Sequence, residues 1–248
     1  MEKEAISEMN LKFKEFEKPG LYLIFSDGSK LILTKENIEL TVETYWNDIT
    51  KIPLQVRKAI EFQRCYFCPL KRIEDMCDAI RPTIPFLEIV DKYVSFDKIT
   101  AVYRDENKDI LYISSTTMQQ ALKYVSILSL MHYCRKGRTY WRYFWGINPL
   151  MHGREIASRL YLNLIFLHNC NMDEINKVIL KFKEEIKITS KNQVARMNLV
   201  CQNDAFSNSF VNTQIITEIL SMNLDKALEG AFKNFEETHK DSDPRPIK

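Results

Sequence analysis

The sequence predicts an α+β fold with an N-terminal β-hairpin region, a cysteine-rich metal-binding centre and a mostly helical C-terminal half. Three observations carry this prediction. Two short apolar runs flank Asp27-Gly28, three of the six cysteines fall between Cys65 and Cys77, and from Arg154 onward apolar residues recur at helical spacing.

The first hairpin is the clearest element. "LYLIF" and "KLILT" are separated by "SDGS", and glycine supplies the positive φ that a tight turn needs, so Leu21 to Thr34 reads as two antiparallel strands. "NLKFKEFEK" before it suits a preceding strand or a short helix, of which the strand is preferred. "TVETYWNDITKIPLQVRKAIEFQR" reads as a connector with mixed signals. Met76, Ile80, Ile84, Leu87 and Val90 give a helical period, but Pro82 and Pro85 interrupt it, which predicts a helix starting near Pro82 or a kinked one. "KITAVYR" and "DILYIS" form a second hairpin-like pair. "SSTTMQQALKYVSILSLMHYC" opens with threonines able to cap amides and continues as a helix.

After Arg135 a loop-like stretch, "RKGRTYWRYFWGINPLMHG", leads to about four helices: Arg154 to Cys170, Met172 to Ile188, a segment around Gln193 to Val211, and Thr213 to Phe235. The polar tail from residue 237 to 248 has little to bury and reads as disordered. The expected organisation is an α+β region over 1–134, a helical region packed on it over 135–236, and the tail.

Composition narrows the function classes. A chain of 248 residues, 45% hydrophobic and 27% charged, is ordinary for a globular protein, and a net charge of +2 gives no bulk reason to expect nucleic acid or an anionic membrane. The longest apolar runs, Tyr124 to Met131 and Leu160 to Leu167, fall far short of the ~20 residues of a membrane span. The N-terminus alternates charge and lacks an apolar signal core, so the expected location is cytoplasmic, where thiols stay reduced.

Clustered reduced cysteines point to metal. A Cys-x-x-Cys turn sets two sulfurs on one side of a loop, which Cys65 and Cys68 provide; Cys77 offers a third thiolate and Cys134, at the end of a long helix, the fourth. Cys170 and Cys201 lie in apolar patterns and read as buried thiols. Free core cysteines and a redox pair are the competing readings of the same spacing. Zn2+ is favoured over an iron–sulfur cluster, and a closed four-thiolate zinc site has a structural role because it leaves no position for substrate.

"FSDGSKL", "CYFCPL", "MCDAIRPTIPFLEIVDKYVSFDKITAVYR", "TTMQQALKYVSIL", "HYC", "NPLM" and "NDAFSNS" resemble, in order, the blocks of an uncharacterised bacterial four-cysteine family carried as a domain of unknown function. The resemblance runs from about Leu21 to Leu220. It implies the fold and the set Cys65, Cys68, Cys77 and Cys134; it implies no activity.

Two further features stand outside the cysteines. Arg135, Lys136, Arg138 and Arg142 alternate with Tyr140, Trp141 and Trp145, the composition of a nucleic-acid or nucleotide contact in which cations track phosphate and rings stack bases. The competing account is aromatic packing with arginines beside the cysteine loop. Asp204, Asn208 and His152 could line a polar pocket, although helix capping is the ordinary role of such residues. No glycine-rich phosphate loop, nucleophile elbow or zinc-protease pair is present. The expectation is therefore a non-catalytic binding or regulatory protein with a four-cysteine metal site, its partner a macromolecule or a small ligand. The alternatives are a nucleic-acid or nucleotide-binding protein and an iron–sulfur redox sensor.

Overall fold

The computed structural model describes residues 14–62, 64–69, 77–87, 92–105 and 110–222. Four antiparallel strands, β1 (Gly20–Ile24), β2 (Lys30–Thr34), β3 (Lys98–Arg104) and β4 (Leu111–Thr117), form one sheet in the order β2-β1-β3-β4. Both expected hairpins are present. The first turns at Gly28, whose φ of 81° favours glycine, with the Ser29 amide donating to Asp27 Oδ1 at 2.9 Å.

Alternation sorts the sheet into two faces. Leu21, Leu23, Leu31, Leu33, Ile99 and Ala101 enter the main core, whereas Tyr22 and Val102 lie with Phe16 in a small cluster on the other side. The expected strand before β1 is instead a single 3-10 turn at Lys14–Phe16, as far as the described residues reach. Its Phe16 ring meets Tyr22 edge-on at 5.1 Å, a contact that a turn can make without pairing.

The mixed-signal connector is helical. Thr34 caps α1 (Lys35–Asn47) by accepting from the Asn37 amide, and α2 (Leu54–Glu61) follows Pro53. Through Phe86 the helix expected near Pro82 gives way to tighter turns, and Leu87, the last described residue of this segment, is α-helical. Asp78–Ile80 and Ile84–Phe86 form 3-10 turns instead, because each proline removes an amide that an α-helix needs.

α3 (Met118–Ile127) runs on into a π-helical turn at Leu128–Tyr133, where the Cys134 amide reaches back to the Ser129 carbonyl at 3.0 Å. The expected loop that follows contains α4 (Arg138–Trp141) and a 3-10 turn at Arg142–Phe144. Then come α5 (Gly153–Leu167), α6 (Met172–Val200) and α7 (Ala205–Ser221). Two helices expected between Met172 and Val211 are one 29-residue helix plus the start of the next, with the break at Cys201 to Asp204. No glycine or proline interrupts Met172 to Val200, so nothing local stops the helix. The expected tail from residue 237 lies outside the described residues.

Small buried hydroxyls let α3, α6 and α7 approach one another. Ser126 Oγ donates to the Ser209 carbonyl at 3.0 Å and Ser190 Oγ donates to the Phe210 carbonyl at 2.9 Å, so these polar groups enter the core satisfied. One hydrophobic cluster runs from Leu21 in the sheet to Leu220 in α7. Among the described residues no helix is long and apolar enough to cross a membrane.

Candidate functional site

The π-helical turn separates two neighbouring hollows. Leu128, His132 and Tyr133 line one, and Cys134 with Lys136 lines the other. A π turn adds a residue per hydrogen-bonded ring and so redirects the side chains that follow it. Gly137 then brings the chain back against the turn. A Cβ built there would sit 1.7 Å from the Leu130 carbonyl oxygen, so only glycine fits. Arg138 Nε donates to the His132 carbonyl at 2.8 Å, satisfying an acceptor that the helix end leaves open.

The smaller hollow, of about 20 Å3, is bordered by Cys65, Cys68, Cys77 and Cys134 together with Thr189 and Arg196 of α6. The Cys77 and Cys65 sulfurs accept hydrogen bonds from side chains of α6. Arg196 Nη1 donates to Cys77 Sγ at 3.0 Å, and Asn192 Nδ2 donates to Cys65 Sγ at 3.2 Å. Burial pushes the Cys65 thiol up, and it pushes Cys134 up to about 11 against the opposing pull of the Gly137 and Lys136 amides.

Among the described residues, no group of three or more His, Cys, Asp or Glu side chains is placed to hold a metal ion. The expected four-cysteine metal centre on Cys65, Cys68, Cys77 and Cys134 is therefore corrected. With it go the Zn2+ and iron–sulfur assignments, the metal-held regulatory protein and the iron–sulfur sensor. Two of these sulfurs, Cys77 and Cys65, instead accept hydrogen bonds from Arg196 and Asn192 of α6. Cys170, expected to be buried, is exposed at a positive-φ corner after α5, and Cys201 is half-buried at the end of α6.

The basic-aromatic segment does not present one face. Arg135 Nε donates to Asp78 Oδ2 at 2.8 Å, Lys136 pairs with Glu185 at 3.3 Å, and the buried Tyr140 hydroxyl donates to Glu185 Oε2 at 2.6 Å. Burial and this carboxylate hold the Tyr140 hydroxyl far above the usual tyrosine range. Arg135, Lys136, Arg138 and Tyr140 thus serve the fold. Within 135–145 these contacts divide the residues between the fold and the cavity wall described next.

Trp141, Arg142 and Trp145 turn the other way, into a cavity of about 690 Å3. The wall is set by Asn163 of α5, whose Nδ2 donates to the Tyr143 carbonyl at 2.7 Å and to the Trp145 carbonyl at 3.0 Å. Gly146, at φ 69°, completes the bend that this pinning demands. Trp141 stacks near Phe144, their planes 10° apart and centroids 6.4 Å apart, and His132 meets Trp141 at 5.0 Å.

Across the cavity lies the end of the sheet. Gly20 pairs with Thr34 on one side and Arg104 on the other, which brings Lys35 and Arg104 to the same end. Gly20 has φ 137° and a Cβ there would lie 2.5 Å from the Thr34 Cα, so the strands converge as only glycine allows. Tyr103 and Tyr124, 5.9 Å apart, extend the lining from the sheet to α3.

The weaker polar trio separates. Asp204 Oδ1 accepts from the Ser95 amide at 2.9 Å, and its Oδ2 accepts from Asn208 Nδ2 at 2.8 Å, tying α7 to the loop before β3. His152 starts α5, where its amide donates to Glu155 Oε2 at 2.7 Å. Sequence reasoning missed the cavity-lining Lys35, Tyr103, Arg104 and Phe166, which no motif links and only the strand register and helix packing bring together.

No protein-family model, curated protein or solved structure matches this chain.

Proposed function

We propose that this protein is a cytoplasmic binding protein for a small organic molecule with a planar, largely apolar body, held between the sheet end and the 141–147 segment. The observation that carries this reading is the cavity of about 690 Å3, within the roughly 300–1,000 Å3 range of ligand pockets, with aromatic rings on several walls. Trp145 and Phe166 line it while remaining 68% and 76% exposed. Large rings left in water at a cavity are the surfaces whose burial by a ligand is most favourable. Membership of the four-cysteine family is proposed on the sequence blocks alone.

The test is titration with the uncharged probe N-phenyl-1-naphthylamine, whose fluorescence rises in apolar sites. Saturable one-to-one binding is expected, weakened about tenfold by Trp145→Ala or Phe166→Ala at unchanged thermal stability, since both side chains are exposed. Absence of saturable binding, or indifference to both substitutions, overturns the reading.

A further inference from the structure

Resting on that reading, we propose that the cavity selects a neutral planar aromatic molecule with a hydrogen-bond donor on its edge, an N–H or an O–H, and that Asn163 Oδ1 accepts from this donor.

The hydrogen bonds of Asn163 fix which of its polar atoms is left for a ligand. Its Nδ2 donates to the Tyr143 carbonyl at 2.7 Å and to the Trp145 carbonyl at 3.0 Å, and a primary amide has two N–H groups, so both are spent on the wall. Two carbonyl partners also settle the orientation of the amide, because an oxygen turned toward them would face only acceptors. Oδ1, on the other side of the planar amide, is directed away from this backbone. No donor among the described residues reaches it. Asn163 is half-buried and lines the cavity, so Oδ1 is an acceptor with its lone pairs unused.

Its position suits a ring. Asn163 holds the carbonyl of Trp145 and stands three residues before Phe166, on the same side of α5. Trp145 and Phe166 are the two exposed rings of the lining, so an aromatic molecule covering both has Asn163 between them and an acceptor at its edge. The charged residues of the described lining, Lys35, Arg104, Asp105 and Arg142, already interact within the protein. Selectivity therefore rests on a neutral contact. A ligand without the donor leaves Oδ1 covered and unpaired, which is penalised more than the absence of an apolar group.

The experiment uses two probe pairs of matched shape, carbazole against dibenzofuran for an N–H donor and 2-naphthol against 2-methoxynaphthalene for an O–H donor. Each is titrated against the full-length protein by displacement of N-phenyl-1-naphthylamine. The donor-bearing member of at least one pair is expected to bind about tenfold more tightly, and which pair shows it distinguishes the two donors. Asn163→Leu should bring that ratio close to one while the member without a donor still binds, which also reports that the variant is folded. In the unmodified protein the Asn163 side-chain amide resonance should shift more with the donor-bearing probe than with its partner, a readout that stands if Asn163→Leu does not fold. Ratios near one in both pairs, a preference that survives Asn163→Leu, or equal shifts of the Asn163 resonance overturn the proposal. Failure of N-phenyl-1-naphthylamine and all four probes to bind overturns the cavity reading itself.

Discussion

The Tyr143 hydroxyl lies 3.1 Å from His168 Nε2, and the direction of this hydrogen bond follows from its neighbours. His168 Nδ1 is 3.4 Å from Glu174 Oε2, and a carboxylate only accepts, so in the neutral ring Nδ1 carries the proton and Nε2 accepts from Tyr143. The Tyr143 oxygen is then left to accept from Arg142 Nη2 at 2.8 Å. A chain of four side chains thus runs from the start of α6 to the wall of the aromatic cavity.

Tyr143→Phe breaks this chain in its buried middle. The loss of one hydrogen bond and the unpaired His168 nitrogen together should lower stability by about 1–2 kcal/mol in urea unfolding. Arg142 also loses its acceptor, so binding of an aromatic probe should change along with stability. A variant as stable as the parent would show that the chain is not formed in solution.

Lys123 gives a pH signature. It is buried, donating to Gln120 Oε1 at 3.1 Å and to the Met151 carbonyl at 2.5 Å, and burial lowers its pKa from 10.5 to about 8. Between these values the unfolded chain holds a proton that the folded protein has released. This group's contribution to stability therefore rises as pH increases from about 8 to 10.5, by about 3 kcal/mol in full, and is constant below that window. The stability difference between Lys123→Met and the parent should favour the variant most below pH 8 and shrink above it. A difference that is flat from pH 7 to 10 would refute the assignment.

Thiol reactivity should divide the cysteines. At pH 8 a disulfide reagent should modify the exposed Cys170 first, and Cys170→Ser should remove that fast phase. Cys65 and Cys134, whose thiols burial pushes up, should react in the slow phase that tracks opening of the fold. Fast labelling of Cys134 in the native protein would contradict its surroundings.

Gly137→Ala places a methyl group against the Leu130 carbonyl at 1.7 Å, with backbone rather than a flexible side chain in the way. The expected cost is about 3 kcal/mol or more, read as a fall in the denaturation midpoint. By contrast, Gly28→Ala meets no atom within 4 Å and is strained only through its φ of 81°, so it should cost less.

The hairpins were legible because their signals are local: alternating apolar residues on either side of Asp27-Gly28 need no distant partner to be understood. The helix at Lys35–Asn47 was hidden because its apolar face is narrow, with Ile38 and Val42 buried against a sheet that the sequence does not display. The division within 135–145 was illegible for a related reason. Nothing in "RKGRTYWRYFW" tells Tyr140 from Trp141, yet one is buried beside Glu185 and the other lines the cavity. The metal expectation misled because spacing describes where cysteines fall in the chain; it does not show that Arg196 and Asn192, more than a hundred residues later, will meet their sulfurs.

The six-residue π turn at Leu128–Tyr133 is a party wall. His132 and Tyr133 face the aromatic cavity, and Cys134, the next residue, faces the thiols. Deleting one residue to restore ordinary α-helical pitch would rotate everything after it by about 100°. The two chambers are therefore held in phase by a single extra residue, and the chain cannot lose it without misaligning both.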